Sequence, residues 1–271
     1  MNNAKLSLIQ KLLKNEELLT VYGLFTNMPY IECNQETFDD QAFVFESEDL
    51  LKEFAQPYMD KKLPLKGIKF PANEKMKFFS TLMSMSIDEI VFIEKSGKHV
   101  VKLADFIKKQ DFSALPADKR PIENPQMQLS GTYFMQEATR QIPNEEKKNL
   151  PALEEEFSAN LVKSKFILPV EFLEGEGTDN EKLQKSQFRI PLIKTPKEDT
   201  FQPIFADTLS FSRYNKENKL KALVVPFANL KKLLAKEAKG FMLNPNGYHA
   251  VMTVELLNGL EKRFGIGNET K

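Results

Sequence analysis

The chain has 271 residues, 41% of them hydrophobic and 28% charged, with 38 basic residues balancing 38 acidic ones. Such a composition supplies a buried core and excludes wholesale disorder, while a formal net charge of +0 disfavours a nucleic-acid partner, which needs a concentrated basic face. The single cysteine, Cys33, excludes an internal disulfide and a thiolate metal cage, and it fits a reducing compartment, so the cytoplasm is the expected location.

Leu6, Ile9, Leu12, Leu13 and Leu18 or Leu19 recur near helical spacing, which predicts an amphipathic helix over residues 4–19. Neither a secretory apolar core nor an apolar run of the roughly 20 residues that span a bilayer is present, so no membrane partner is expected. Short strands are predicted over Val21 to Thr26 and Ala42 to Phe45. Ser47 then reads as an N-cap, with Glu48 and Asp49 complementing the dipole of a helix over 48–56 that ends near Pro57. A strand at Gly67 to Phe70, a helix near Glu74 to Met85, and a hairpin of Glu89 to Glu94 with His99 to Leu103 complete a first module, residues 1–110.

Residues 111–146 hold Pro116, Pro121, Pro125 and Pro143, so no long regular element is expected there; Tyr133, Phe134 and Met135 imply a linker packed in part on a module. The second module, residues 147–271, opens with a helix from Ala152 to Val162. Strands follow at Phe166 to Phe172 and Phe188 to Ile193, flanking a loop from Glu174 to Lys185. The prolines inside both runs suggest edge strands or bulges. Beyond them come strands at Phe201 to Phe205, Lys221 to Val225 and Gly240 to Leu243, and helices from Thr208, over Ala228 to Lys236, and from Thr253 to about Phe264. The fold class is therefore α/β (α+β), as two related mixed-sheet modules with flanking helices. An offset of 180 residues aligns Phe25 with Phe205, Ala42 with Ala222, Val44 with Val224 and Ala55 with Ala235, which suggests an internal repeat.

Ser164 to Val170, Ile190-Pro191-Leu192, Phe201 to Asp207 and Gly240 to Gly247 together resemble the SseB family, named for enhanced serine sensitivity, in its N-terminal domain. Ala206 stands where that family usually has threonine. The first module keeps Leu24-Phe25-Thr26-Asn27 but has Phe70-Pro71 in place of an Asn-Pro pair. The resemblance implies a compact α/β fold and a family without an established enzymatic activity.

No catalytic constellation is legible. His99 and His249 lie in different modules without a carboxylate or cysteine at ligand spacing, and Cys33 has no histidine near it in sequence. Gly175-Glu176-Gly177 and Gly265-Ile266-Gly267 do not form a phosphate loop. No catalytic residue, metal ligand or cofactor is assigned. Asn244-Pro245-Asn246-Gly247 carries turn chemistry and is expected to join a strand to a helix, and Asp207-Thr208 is expected to cap one. Phe205, Asp207, Asn244, Pro245 and Asn246 are the candidates for a ligand or partner cleft. The leading expectation is a regulatory or scaffolding protein that binds a protein partner or self-associates. A small-molecule sensor for an amino acid or metabolite is the alternative, and an enzyme of dispersed carboxylates ranks last.

Overall fold

The computed structural model describes residues 3–116, 119–172, 188–247 and 249–266. The expected loop from Glu174 to Lys185 lies outside them. The chain forms two compact units, Met1–Asp118 with Pro125–Phe157, and Lys119–Asn124 with Ser158–Lys271. Both are mixtures of helices and sheet, so the fold class is α/β.

The first unit contains α1 (Asn3–Lys14), β1 (Glu17–Gly23), β2 (Ile31–Cys33), β3 (Asp40–Phe45), α2 (Glu48–Asp60), β4 (Leu65–Pro71), α3 (Lys75–Ser84), β5 (Glu89–Glu94) and β6 (Gly97–Lys102). Its sheet runs β4-β1-β3-β5-β6, with β2 on β3. The first helix is shorter than its apolar spacing predicts, because Leu18 and Leu19 belong to β1. The buried Lys75 ends it: its ammonium donates to the carbonyls of Leu12 at 3.3 Å, Leu13 at 2.7 Å and Asn15, giving partners to carbonyls a helix terminus leaves open. Helix α2 passes through Pro57 to Asp60: the proline lacks only its own N–H, and its carbonyl still accepts from the Lys61 N–H at 3.3 Å.

The proline-rich segment holds a 14-residue helix, α4 (Pro125–Ala138), where no long element is expected from sequence. Pro125 occupies the first helical position, where its missing N–H costs nothing, so the proline starts the helix. The Gln136 amide donates to the Ile31 carbonyl and accepts from the Ile31 N–H, both at 3.0 Å, and Phe134 stacks on Phe157.

Helix α5 (Leu150–Lys163) contains the division between the units. After it come β7 (Lys165–Phe172), β8 (Phe188–Arg189), β9 (Ile193–Lys194), β10 (Thr200–Ile204), α6 (Thr208–Tyr214), β11 (Lys221–Pro226), β12 (Gly240–Leu243), β13 (Ala250–Thr253) and α7 (Val254–Phe264). One strand expected over 188–193 is two short ones broken at Pro191, and the helix expected over 228–236 is a 3-10 turn, Phe227–Leu233. Strand β7 is not an edge: β11 lies on one side, β8 and a bridge from Ile167 to Phe205 on the other. Ile167 exchanges both backbone bonds with Phe205 at 2.9 Å, so alternation turns the nitrogen of Pro169 to that same side, away from the β11 ladder.

The two units share one pairing scheme. Leu19 faces Phe45 and Lys69 just as Ile167 faces Phe205 and Val224. Glu17 faces Pro71 and Lys165 faces Pro226, each proline leading into a 3-10 turn. Val44 pairs in parallel with Phe92, which faces His99; Ile204 pairs in parallel with Leu243, which faces Ala250. The offset of 180 is thereby corrected. It matches Val44, 1% exposed, with Val224, 44% exposed, and exposed Phe25 with buried Phe205, whereas the pairing relates Phe45 to Phe205 and the N-cap Ser47 to the N-cap Asp207.

Candidate functional site

Phe205, Asp207 and Asn244 come together at the carboxyl ends of β10 and β12. Phe205 is buried and meets Phe211 edge-on at 5.6 Å. Asp207 caps α6: one carboxylate oxygen accepts from the Ser210 N–H and the other from the Ser210 hydroxyl, each at 2.7 Å. Burial pushes its carboxyl pKa up, outweighing those hydrogen bonds. Asn244 is buried with φ 46°, a conformation asparagine tolerates, and its Oδ1 accepts from the Ala206 N–H at 3.0 Å. Pro245 is half-buried and Asn246 exposed in the turn that follows. That turn leads into β13, not into a helix as its sequence suggests.

The residues with nucleophilic or metal-binding chemistry are scattered. His99 is half-buried, with Nε2 3.1 Å from Ser96 Oγ and 3.4 Å from Glu94 Oε2; His249 is exposed beside the Gly247 carbonyl. Burial, then the carboxylates of Asp40, Asp39 and Asp88, push the Cys33 thiol up, opposite to what activates a nucleophile. Among the described residues no group of three His, Cys, Asp or Glu side chains could hold a metal ion, and no helix is long and apolar enough to cross a membrane.

A groove of about 530 Å³ runs between α2 and β4 in the first unit. Leu19, Leu51, Ala55 and Leu65 form its apolar floor, with Glu48, Lys52, Gln56 and Lys69 on its rim and Met59, half exposed, at one end. Helical periodicity places Leu51 and Ala55 on one stripe of α2. The stripe comes close to the strand because Gly67 has no side chain; a Cβ there would lie 3.2 Å from Leu51 Cδ1. Lys69 Nζ and Glu48 Oε1 lie 2.6 Å apart, which lowers the Glu48 carboxyl pKa and raises that of Lys69.

Strand β4 is the edge of the sheet. Leu24 N–H reaches Pro64 O on the β4 side, and alternation turns Tyr22, paired with Lys66, the same way. The backbone groups of Leu65, Gly67 and Lys69 therefore point away from β1, along the mouth of the groove. None of the groove residues stood out in the sequence. The available signals were the lysine-interrupted run Leu65 to Lys69, a common guard on an edge strand, and the apolar stripe of α2.

Residues 146–258, less than half of the chain, match the family model of the SseB protein N-terminal domain. The resemblance read from Ser164 to Val170, Phe201 to Asp207 and Gly240 to Gly247 is borne out for that segment. No curated protein matches the chain. Among solved structures, Tic22 from Plasmodium falciparum is similar at 15% identity and a TM-score of 0.20, covering 96% of this chain and 99% of that one. Anabaena Tic22 (protein transport) is similar at 12% identity and a TM-score of 0.22, covering 100% and 99%. At these TM-scores neither likeness bears on fold or function.

Proposed function

From the premise that residues 146–258 are an SseB-family segment, we propose that this is a non-catalytic protein that binds a protein partner through the groove between α2 and β4. The groove carries the reading: an apolar floor with a charged rim, beside outward-facing backbone donors and acceptors of an edge strand. Extended segments are held in such places by main-chain hydrogen bonds and by side chains dropping into the pocket. The scattered histidines and the inert surroundings of Cys33 support a role without covalent chemistry.

The test places a photoreactive amino acid at Gln56, on the rim, and in a second variant at Val100 on β6 as a control. A protein adduct formed from position 56, absent from position 100 and abolished by Met59→Asp, is the expected result. Equal capture at both positions, or capture indifferent to Met59→Asp, would overturn the reading. If no protein is captured and an amino acid or metabolite raises the melting temperature, the chain is a small-molecule sensor instead.

A further inference from the structure

By the shared pairing scheme, the second unit's counterpart of the groove is covered by the chain itself. Ile122, in the short strap Lys119–Asn124 counted in that unit, packs on Ile167, Phe205 and Phe211. The Thr208 N–H donates to the Ile122 carbonyl and the Ile122 N–H donates to Thr208 Oγ1, both at 3.0 Å. A sheet edge stays open there. Strand β11 ends the order β11-β7-β8, and its residues Lys221 to Val224 are exposed, Leu223 by 37% and Val224 by 44%.

The hydrogen-bonding groups of this edge can be counted. Ile167 uses both its backbone groups on Phe205, so Val224, which it faces in β11, turns its own away from β7. The Phe227 N–H, bonded to the Ser164 carbonyl at 3.1 Å, sets the same phase from the other end of the strand. By alternation, Leu220, Ala222, Val224 and Pro226 turn outward. The first and last of these are already engaged. Both backbone groups of Leu220 are held by the Asn215 side chain: the N–H donates to Oδ1 at 3.0 Å and the carbonyl accepts from Nδ2 at 2.8 Å. Pro226 has no N–H, and as the N-cap of the 3-10 turn its carbonyl is the acceptor that begins the turn. One donor and one acceptor are left on each of Ala222 and Val224, without a partner among the described residues.

Edge strands are commonly guarded by lysine. Lys69 stands on β4 opposite Leu19, and its counterpart on β11, opposite Ile167, is Val224. We propose that β11 pairs antiparallel with β11 of a second copy of this chain, about a two-fold axis at Leu223. Ala222 of each copy then exchanges both backbone bonds with Val224 of the other, which satisfies all four open groups of each strand. Leu223 meets its own copy in the close pair between them. Moving the axis to Ala222 or to Val224 sets half of these groups against Leu220 or Pro226, which have nothing left to offer. The edge is therefore complementary to itself in one register, and because each β11 has one free side the contact closes at two copies.

The pairing brings no like charges side by side. On β11 and β7 the ionisable residues are Lys221, Lys165 and Glu171. Lys221 comes to face Val225 of the copy and lies about 14 Å from the copy's Lys221, beyond a Debye length. Lys165 stands behind Pro226, and Glu171, which faces Arg189 on β8, is one place past the partner of Lys221, behind Leu220. Each row across the dimer thus has Lys165 of one copy and Glu171 of the other. In the turn before β11, Lys219 is paired with Glu217 at 2.6 Å, and Lys216 lies outside the paired span. So short a strand makes a weak dimer.

The test uses the full chain. Sedimentation equilibrium should show the mass rising from monomer toward dimer between about 10 and 500 µM. Val224→Lys, which copies the guard of β4, should weaken the dimer at least about tenfold. Val251→Lys, at an exposed valine on the edge strand β13, should leave it unchanged. The register is read by crosslinking with diamide on a Cys33→Ser background. Leu223→Cys comes within disulfide reach of its own copy, whereas Lys221→Cys, exposed on the same face of the strand, does not. A covalent dimer is expected at least about tenfold faster from position 223 than from position 221. A mass that stays monomeric over the whole range, a dimer indifferent to Val224→Lys, or equal crosslinking at the two positions overturns the proposal.

Discussion

The same backbone amide is satisfied in different ways in the two units. After β3, the Glu46 N–H bonds the main-chain carbonyl of Ile93 at 2.9 Å; after β10, the equivalent Ala206 N–H bonds the side chain of Asn244, the counterpart of Ile93. Likewise, the end of α1 is closed by the ammonium of Lys75, where the second unit has the fully buried Leu230 at the corresponding place after its proline. A pairing scheme thus constrains which groups must be satisfied and leaves open which residue does it.

The largest effect that bears on this equivalence is at the paired phenylalanines. Phe45→Ala and Phe205→Ala should each lower unfolding stability by about 3–5 kcal/mol in urea titrations, as buried aromatic truncations do. Phe25→Ala, at an exposed position, should cost under about 1 kcal/mol. A cost at Phe25 equal to that at Phe205 would restore the 180-residue offset.

Next in size, Asn244→Ala strands the buried Ala206 amide and puts alanine at φ 46°. About 2–3 kcal/mol should be lost, together with fast hydrogen exchange at Ala206. Ile93→Val leaves the Glu46 amide protected because its partner is main chain. Lys75→Leu, which copies the second unit, should cost about 1–2 kcal/mol and speed amide exchange in the last turn of α1; unchanged exchange there would show that the ammonium is not what ends the helix.

The smallest effect is one of pH. Burial raises the Asp207 carboxyl pKa in the folded state, so the folded chain holds that proton more tightly than the unfolded one. Its contribution favours folding below the unfolded pKa of about 3.9 and is lost as pH rises through the raised folded value. Asp207→Asn keeps an acceptor for the Ser210 amide and removes the titration. The stability difference between wild type and variant should shift against wild type as pH rises across that window. The first unit has Ser47 at this cap, so Ser47→Ala, at about 1 kcal/mol, should show no such slope.

Much of the secondary structure was legible because its determinants are local. Ser47 and Asp207 announced caps through side chains that reach three residues along the chain. Two runs rich in β-branched residues on either side of Lys95-Ser96-Gly97-Lys98 exposed the β5–β6 hairpin, and Thr253 marked the start of α7, which the left-handed Gly265 closes. Helix α4 was hidden by its own Pro125, which breaks a helix in the middle and begins one at the first position. Strands β2 and β13 were too short to show a period. Of the candidate site, the turn chemistry at Asn244 to Gly247 was legible; the bond from Asn244 to Ala206, 38 residues away, was not, because an amide side chain carries no record of its partner.

The sequence by itself determined which residues seek burial, where the side-chain-capped helices α2 and α6 begin, and the SseB likeness of residues 146–258, since these follow from side-chain chemistry read a few residues at a time or matched along a segment. Only the tertiary structure decided that one apolar stripe, on α6, is covered by Ile122 and that its counterpart on α2 borders a groove. Periodicity records that a face is apolar, but what lies against it depends on contacts between distant parts of the chain, such as Leu19 with Leu51 and Leu65, that no local pattern encodes.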